Sequence, residues 1–342
     1  RLGVQHQDLT DGKQTTLAAI KKSQLTLIIF LILETKNIFK KPSSFFKDID
    51  TLREYGEEKG LYHGFESLDD TVSFKEGCTT IIYGAPYSGK SQFTFEILVN
   101  LSEYYGQVHA IYSPETGTKE RIAAEIMAVF CRKKNIFSNS DYAISKNMFD
   151  NAKDFVDKYF FIAEDYEGIT VEDFFSSVES IEKEYNIKIN NTVIDHMGLL
   201  SQELNNYGGR EDKWISHALK VVNTDALKNN RHNIVVAHVI SQKPIVTNGV
   251  SWFPPAHPRE IAGGQNYFRL GQQIILVYRP PANLPDENGI PYEENAVVIS
   301  VRKSKPKGIG RLGQVKIFYD WKTNRYFEKD IQQNIKYAKP KQ

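Results

Sequence analysis

The sequence predicts an α/β fold: a mostly parallel, twisted sheet flanked by helices, with an antiparallel hairpin at one edge near the C-terminus. Three observations carry that prediction. From about Leu61 onward, short β-rich runs alternate with amphipathic helical stretches, the texture of strands joined by crossover helices. The early runs are apolar on both faces, as strands must be when helices cover both sides of a sheet. The stretch "GAPYSGKS" (84–91) then fits the phosphate-gripping pattern G-x-x-x-x-G-K-[ST] at every fixed position.

Strands are expected at "TTIIY" (79–83), "VHAIYS" (108–113), "YFFIA" (159–163), "NTVID" (191–195), "NIVVAH" (233–238) and "QIILVY" (273–278). The late runs "AVVISV" (296–301) and "VKIFYD" (315–320) follow without an intervening helix and are expected to form the edge hairpin. Residues 1–60 read as a lysine-rich lead-in, 61–335 as the core and 336–342 as a basic tail. Within the lead-in, "KKPSSFF" (40–46) reads as an elbow. The apolar stripe "LTLIIFLIL" (25–33) is shorter than the roughly 20 residues a bilayer span needs. It lacks a small-residue cleavage site after it, so a packed or partner-binding segment is expected rather than a signal peptide or membrane span. The chain opens on Arg1 rather than Met, which leaves room for an upstream domain.

Composition narrows the class. A length of 342 residues suits one large domain or a domain with an appendage. The net charge of +1 excludes a generally basic protein, so contacts to nucleic acid must come from local patches. Two cysteines, Cys78 and Cys131, give neither a disulfide framework nor metal-ligand spacing, and suit a reducing, cytoplasmic compartment.

The phosphate loop has the context it needs. A buried-strand pattern precedes it, and "SQFTFEILVNL" places Phe93, Ile97, Leu98 and Leu101 on one helical face after it. Gly84, Ala85, Pro86, Tyr87, Ser88 and Gly89 would therefore wrap a polyphosphate at a helix N-terminus. Lys90 would reach the β- and γ-phosphates of ATP, and Ser91 would ligate Mg²⁺. A second motif should supply an acidic partner for the metal at another strand end, and "NTVIDH" does so with Asp195. Glu115, in "AIYSPETG", closes a third strand and is the candidate for activating water. His238 closes a fourth, where a polar group can sense the γ-phosphate; strand-end histidines are also commonly structural.

Together these motifs resemble the RecA-like P-loop NTPase core of ring-shaped replicative DNA helicases, the DnaB/Twinkle superfamily, over roughly residues 62–330. The similarity begins at "HGFESLDDTVSFKEGCTTIIYGAPYSGKS" and continues through "YSPE", "VIDHMGLL" and "VVAHV". It implies that Glu115 is the catalytic glutamate and that His238 is the Twinkle-type phosphate sensor. "QQIILVYRPP" is similar to the strand whose terminal arginine, here Arg279, lies near the nucleotide base.

The resemblance further implies a trailing hairpin that reaches into a neighbouring subunit with a K-x-R-x-G segment. Here the sequence departs, because "KSK" offers Lys303 and Lys305, and a lysine cannot reproduce bidentate guanidinium contacts. Arg302 and Arg311 are the remaining finger candidates, against the plainer reading of a solvated basic hairpin. Loops after the second and fourth strand-end motifs would hold single-stranded DNA. Their candidates are Arg210 and Lys213 in 201–213, and Lys243, Arg259 and Gln265 in 243–269, a long stretch expected to lack regular structure.

The reading that results is an ATP- and Mg²⁺-dependent helicase or translocase on single-stranded DNA, assembled as a homo-oligomeric, hexameric ring, with a primase or helicase loader as further partners and no membrane. Two alternatives stay open. One is a RecA-like recombinase or mediator forming filaments on single-stranded DNA; the other is a non-hydrolysing NTP-binding protein.

Overall fold

A computed structural model describes residues 39–340, apart from 138, 140, 165, 166, 241, 248, 283 and 308. The apolar stripe at 25–33 lies outside the described residues. The chain divides into two units at Gly56. In the first, a 3₁₀ turn at Pro42–Phe45 runs directly into α1 (Phe46–Tyr55), whose Phe46, Ile49 and Leu52 are exposed.

The second unit is built on one ten-stranded sheet. Its elements in order are β1 (Thr79–Gly84), α2 (Lys90–Tyr105), β2 (His109–Tyr112), α3 (Lys119–Cys131), α4 (Lys146–Tyr159) and β3 (Phe160–Ile162). There follow α5 (Val171–Tyr185), β4 (Asn191–Asp195), α6 (Glu211–Asn229), β5 (His232–His238), β6 (Ile245–Thr247) and β7 (Val250–Trp252). The last are α7 (Asn266–Leu270), β8 (Gln273–Tyr278), β9 (Ala296–Lys303), β10 (Gly313–Asp320), β11 (Arg325–Lys329) and β12 (Ile335–Tyr337). Spatial order is β12-β11-β10-β9-β8-β1-β5-β4-β2-β3. The stretch from β3 to β8 is parallel, and the stretch from β8 to β12 is antiparallel.

Both faces of the parallel strands are buried, and alternate residues feed two cores. Ile82, Val193, Ile234 and Val236 join one core with Phe93, Ile97 and Leu98 of α2 and Ile122 and Ile126 of α3. Ile81, Ile194, Val235 and Leu276 join the other with Phe174 of α5 and Trp214 and Leu219 of α6. Local chemistry sets the helix ends. Thr170 and Asp173 form a reciprocal capping box at the start of α5. Gly106 takes the left-handed conformation that stops α2.

Two expectations need correction. The β9–β10 hairpin is not the edge, because β11 and β12 pair beyond it and carry the sheet through Tyr337, into the residues read as a tail. These strands are short and rich in charge, so their alternation is too weak to read from sequence. Glu96, fully buried in α2, holds β11 in place: it accepts from Arg325 Nε at 2.6 Å and from the Tyr326 amide at 2.7 Å. The stretch 243–269 is also not structureless. It holds the β6–β7 hairpin, a 3₁₀ turn at Pro258–Glu260 and the start of α7. Among the described residues no helix is long and apolar enough to cross a membrane.

Candidate active site

The loop after β1 is close-packed from below. A Cβ on Gly84 would lie 2.3 Å from the Val277 carbonyl oxygen and 2.8 Å from Ser88 Oγ, so only glycine fits. Gly89 adopts φ +94°, and a Cβ there would meet the Tyr326 hydroxyl at 2.5 Å. That hydroxyl donates to the Gly89 carbonyl at 3.1 Å, so the otherwise unpredicted β11 braces the loop where α2 begins. Lys90 opens α2 with its side chain buried and donates from Nζ to the Ala85 carbonyl at 3.0 Å. Burial holds its ammonium below the usual lysine range, against the opposing pull of Asp195 and Glu115.

Asp195 ends β4 and is almost completely buried. Its Oδ2 accepts from Ser91 Oγ at 2.6 Å and from Ser113 Oγ at 3.2 Å. Burial raises the carboxyl above its ordinary range, with the Ser91 hydrogen bond opposing and Glu115 adding to the rise. Its Oδ1 is buried with no hydrogen-bond partner among the described residues. A buried carboxylate oxygen left over beside a serine hydroxyl fits an oxygen-ligated divalent cation, which would satisfy the orphan and offset the desolvation.

Glu115 lies beyond β2, and His238 ends β5 in register with Gly84. Lys90 Nζ is 3.4 Å from His238 Nδ1, and His238 Nε2 is 2.6 Å from Glu115 Oε2. An ammonium only donates, so Nδ1 is the acceptor and Nε2–H the donor to the carboxylate. A cavity of about 490 Å³ opens onto this group, lined by Lys90, Ser91, Gln92, Glu115, Thr116 and His238. Across the exposed Tyr87 lies a second cavity of about 470 Å³, reached by Trp252, Phe253, Tyr278 and Arg279.

The fold thus brings Lys90, Ser91, Glu115, Asp195 and His238 together. Ser113, Tyr326 and His196 join them without being singled out by the sequence. Of these, only His196 carries a signal, as the residue following Asp195. The remaining candidates sit elsewhere. Arg279 is exposed just beyond β8, and its charge reaches Tyr319 and Tyr326. Arg302 is exposed near the Tyr83 hydroxyl. Lys303 donates to the carbonyls of Phe268 at 2.6 Å and Arg269 at 3.1 Å. Lys305 is exposed, and Arg311 approaches Asp70 at 3.5 Å. Arg210 grips Asp212 through two hydrogen bonds of 3.0 and 2.7 Å, beside Lys213 on the first turn of α6. Lys243, Arg259 and Gln265 are exposed around the β6–β7 hairpin, the 3₁₀ turn and the start of α7. None of these lines the cavity that holds Lys90.

A phosphate loop on the central strand, with acidic groups at the ends of two other parallel strands, defines a RecA-like P-loop core. The family model of the DnaB-like helicase C terminal domain matches residues 60–236, more than half of the chain, and the chain belongs to that family. It is 24% identical over 296 residues to the Twinkle homolog protein, chloroplastic/mitochondrial, of Arabidopsis thaliana, covering 84% of this chain but only 39% of that relative's length. Two solved structures share the fold at 17% identity. One, an isolated ATPase domain, matches with a TM-score of 0.64 over 82% of this chain and 97% of its own. The other, a DnaB-like replicative helicase described with its interactions with primase, matches with a TM-score of 0.63 over 92% of this chain and 73% of its own.

Proposed function

We propose that the chain is the ATP-driven motor core of a replicative DNA helicase that works on single-stranded DNA as a hexameric ring. The observation that carries this reading is the convergence of Lys90, Ser91, Asp195 and Glu115 at one end of the parallel sheet. Family membership supports the helicase class.

In this reading the Lys90 ammonium leaves the Ala85 carbonyl and His238 to grip the β- and γ-phosphate oxygens of ATP. Ser91 and Asp195 are the residues that would hold Mg²⁺, and the bound ion would supply charge neutralisation at the transferred phosphoryl group. Glu115 accepts the proton of the attacking water. His238, bonded between Lys90 and Glu115 before nucleotide arrives, registers the phosphate because Lys90 must release it. Basic groups along 302–311 complete a neighbouring protomer's site, and the loops bearing Arg210, Lys213, Lys243, Arg259 and Gln265 track the DNA backbone. A primase or helicase loader is the expected protein partner. The two buried, unpaired cysteines suit a reducing compartment such as bacterial or phage-infected host cytoplasm.

The test is ATP hydrolysis stimulated by single-stranded DNA in wild type and in Lys90→Ala. Loss of the phosphate clamp should lower turnover by about 10²–10³. Undiminished hydrolysis in the variant would sink the site. Electron microscopy with an ATP analogue and single-stranded DNA should show closed rings; open filaments would transfer the reading to a recombinase.

A further inference from the structure

His196 follows Asp195 directly, and its place in the site is set by two separate contacts. Its Nδ1 accepts the Gly198 amide at 3.1 Å, which caps the 3₁₀ turn at Met197–Leu199. Its ring stands edge-on to that of His238, with centroids 4.8 Å apart and planes at 89°. One polar side-chain atom from each of Glu115, His196 and His238 lies within 4.8 Å of the other two.

That spacing invites a metal site, but the hydrogen bonds argue otherwise. The lone pair of His196 Nδ1 is already engaged by Gly198, so in the neutral ring the hydrogen resides on Nε2. His238 is in the same state, with Lys90 on Nδ1 and Nε2–H donated to Glu115. A ligating histidine normally gives its other N–H to an acceptor, and both outer nitrogens here face donors instead. The cluster is therefore one carboxylate beside two imidazoles that carry their hydrogen on Nε2, of which His238 already donates to it.

We propose that His196 is a positioning residue for Glu115, taking over as its hydrogen-bond donor when ATP draws His238 away. The inference rests on the motor reading above and deepens it. Before nucleotide binds, His238 holds Glu115 through a 2.6 Å bond. Once Lys90 moves to the phosphates, His238 Nδ1 loses its donor and the ring is free to turn toward the γ-phosphate. Glu115 would then lose this orienting partner just when it must face water. A ring nitrogen of His196 lies within 4.8 Å of a Glu115 oxygen, so a small swing of the glutamate side chain brings the two into hydrogen-bond reach, and the His196 ring is held by the Gly198 bond. In this way the strand that carries the metal ligand Asp195 also aims the base.

The deciding experiment compares His196→Asn with His196→Ala in single-turnover hydrolysis, alongside the Kd of a fluorescent ATP analogue. Asparagine keeps an acceptor for the Gly198 amide in an Asx-type turn, yet is too short to reach Glu115. The expected result is a tenfold or greater fall in the hydrolysis rate in both variants, with nucleotide Kd within about twofold of wild type. Restoration of the wild-type rate in His196→Asn would show that the residue only caps the turn and would overturn the proposal. So would a rise in Kd that matches the loss of rate. Absence of turnover in the wild-type protein would instead defeat the motor reading beneath it.

Discussion

The two ends of the proposed ATP chemistry are built in opposite ways. At the phosphate loop, the groups arrive from the ends of several parallel strands and the register does the assembly. Gly84 pairs with His238, and Asp195 pairs with Val236 one strand away. Strand ends of a parallel sheet share one crevice, so residues far apart in sequence meet without help from another molecule. Along 302–311 the basic side chains, from the end of β9 and the turn beyond it, find unrelated partners. Lys303 sits on helix carbonyls, Arg311 on Asp70, and Arg302 near Tyr83, while Lys305 stands in solvent. A group meant for a neighbouring protomer must be presented outward, so its own chain does not display its target. The contrast separates Lys305 from the other three as the candidate least committed to its own fold.

The sharpest way to break this comparison is at the self-assembled end. Glu115→Gln should lower single-turnover hydrolysis by about 10²–10⁴, the range for losing a general base, with nucleotide affinity unchanged. A parallel loss of affinity would place Glu115 in binding rather than in chemistry. The outward-facing end gives the next largest effect. Lys305→Ala should lower turnover by about 10², the loss of one charge-stabilising donor at the transferred phosphate. In the proposed ring the two defects lie on opposite sides of a subunit boundary, so mixing Lys305→Ala with Lys90→Ala protomers should regenerate some complete sites. Turnover of the mixture no higher than that of either variant alone would show that Lys305 does not act across the interface.

The same contrast explains what can be read from the sequence. Lys90, Ser91 and Asp195 are legible because the strand–loop–helix and strand–Asp patterns are local, and a parallel sheet then has few ways to arrange them. His238 is legible as a strand end and Glu115 as a residue just past one, although nothing local says that they touch each other. Ser113 is hidden, since a serine on the strand end gains meaning only when Asp195 turns toward it. Tyr326 is hidden further, in a five-residue strand whose position depends on the buried Arg325–Glu96 pair, 229 residues apart in the chain. The β6–β7 hairpin escapes for a different reason. "TNGV" carries the Asn-Gly signal of a tight hairpin, yet the surrounding Pro and Gly residues make the whole stretch read as loop.

The smallest predicted effect separates Lys303 from Lys305 by stability instead of turnover. Lys303 Nζ is held by two carbonyls near the end of α7 and lies 5.5 Å from the centre of the Phe268 ring. Burial accordingly holds its ammonium below the usual range, with Lys305 adding to the effect. Lys303→Met keeps the aliphatic stem but removes the charged donor, and should cost about 1–2 kcal/mol in urea unfolding. Arg311→Ala, which breaks only an exposed pair with Asp70, should cost less than about 1 kcal/mol. Lys305→Ala should leave the unfolding midpoint where it was. If Lys303→Met proved as stable as wild type, yet lost turnover alone and regained it on mixing with Lys90→Ala, its carbonyl contacts would be dispensable. Lys303, and not Lys305, would then be the group that crosses the interface.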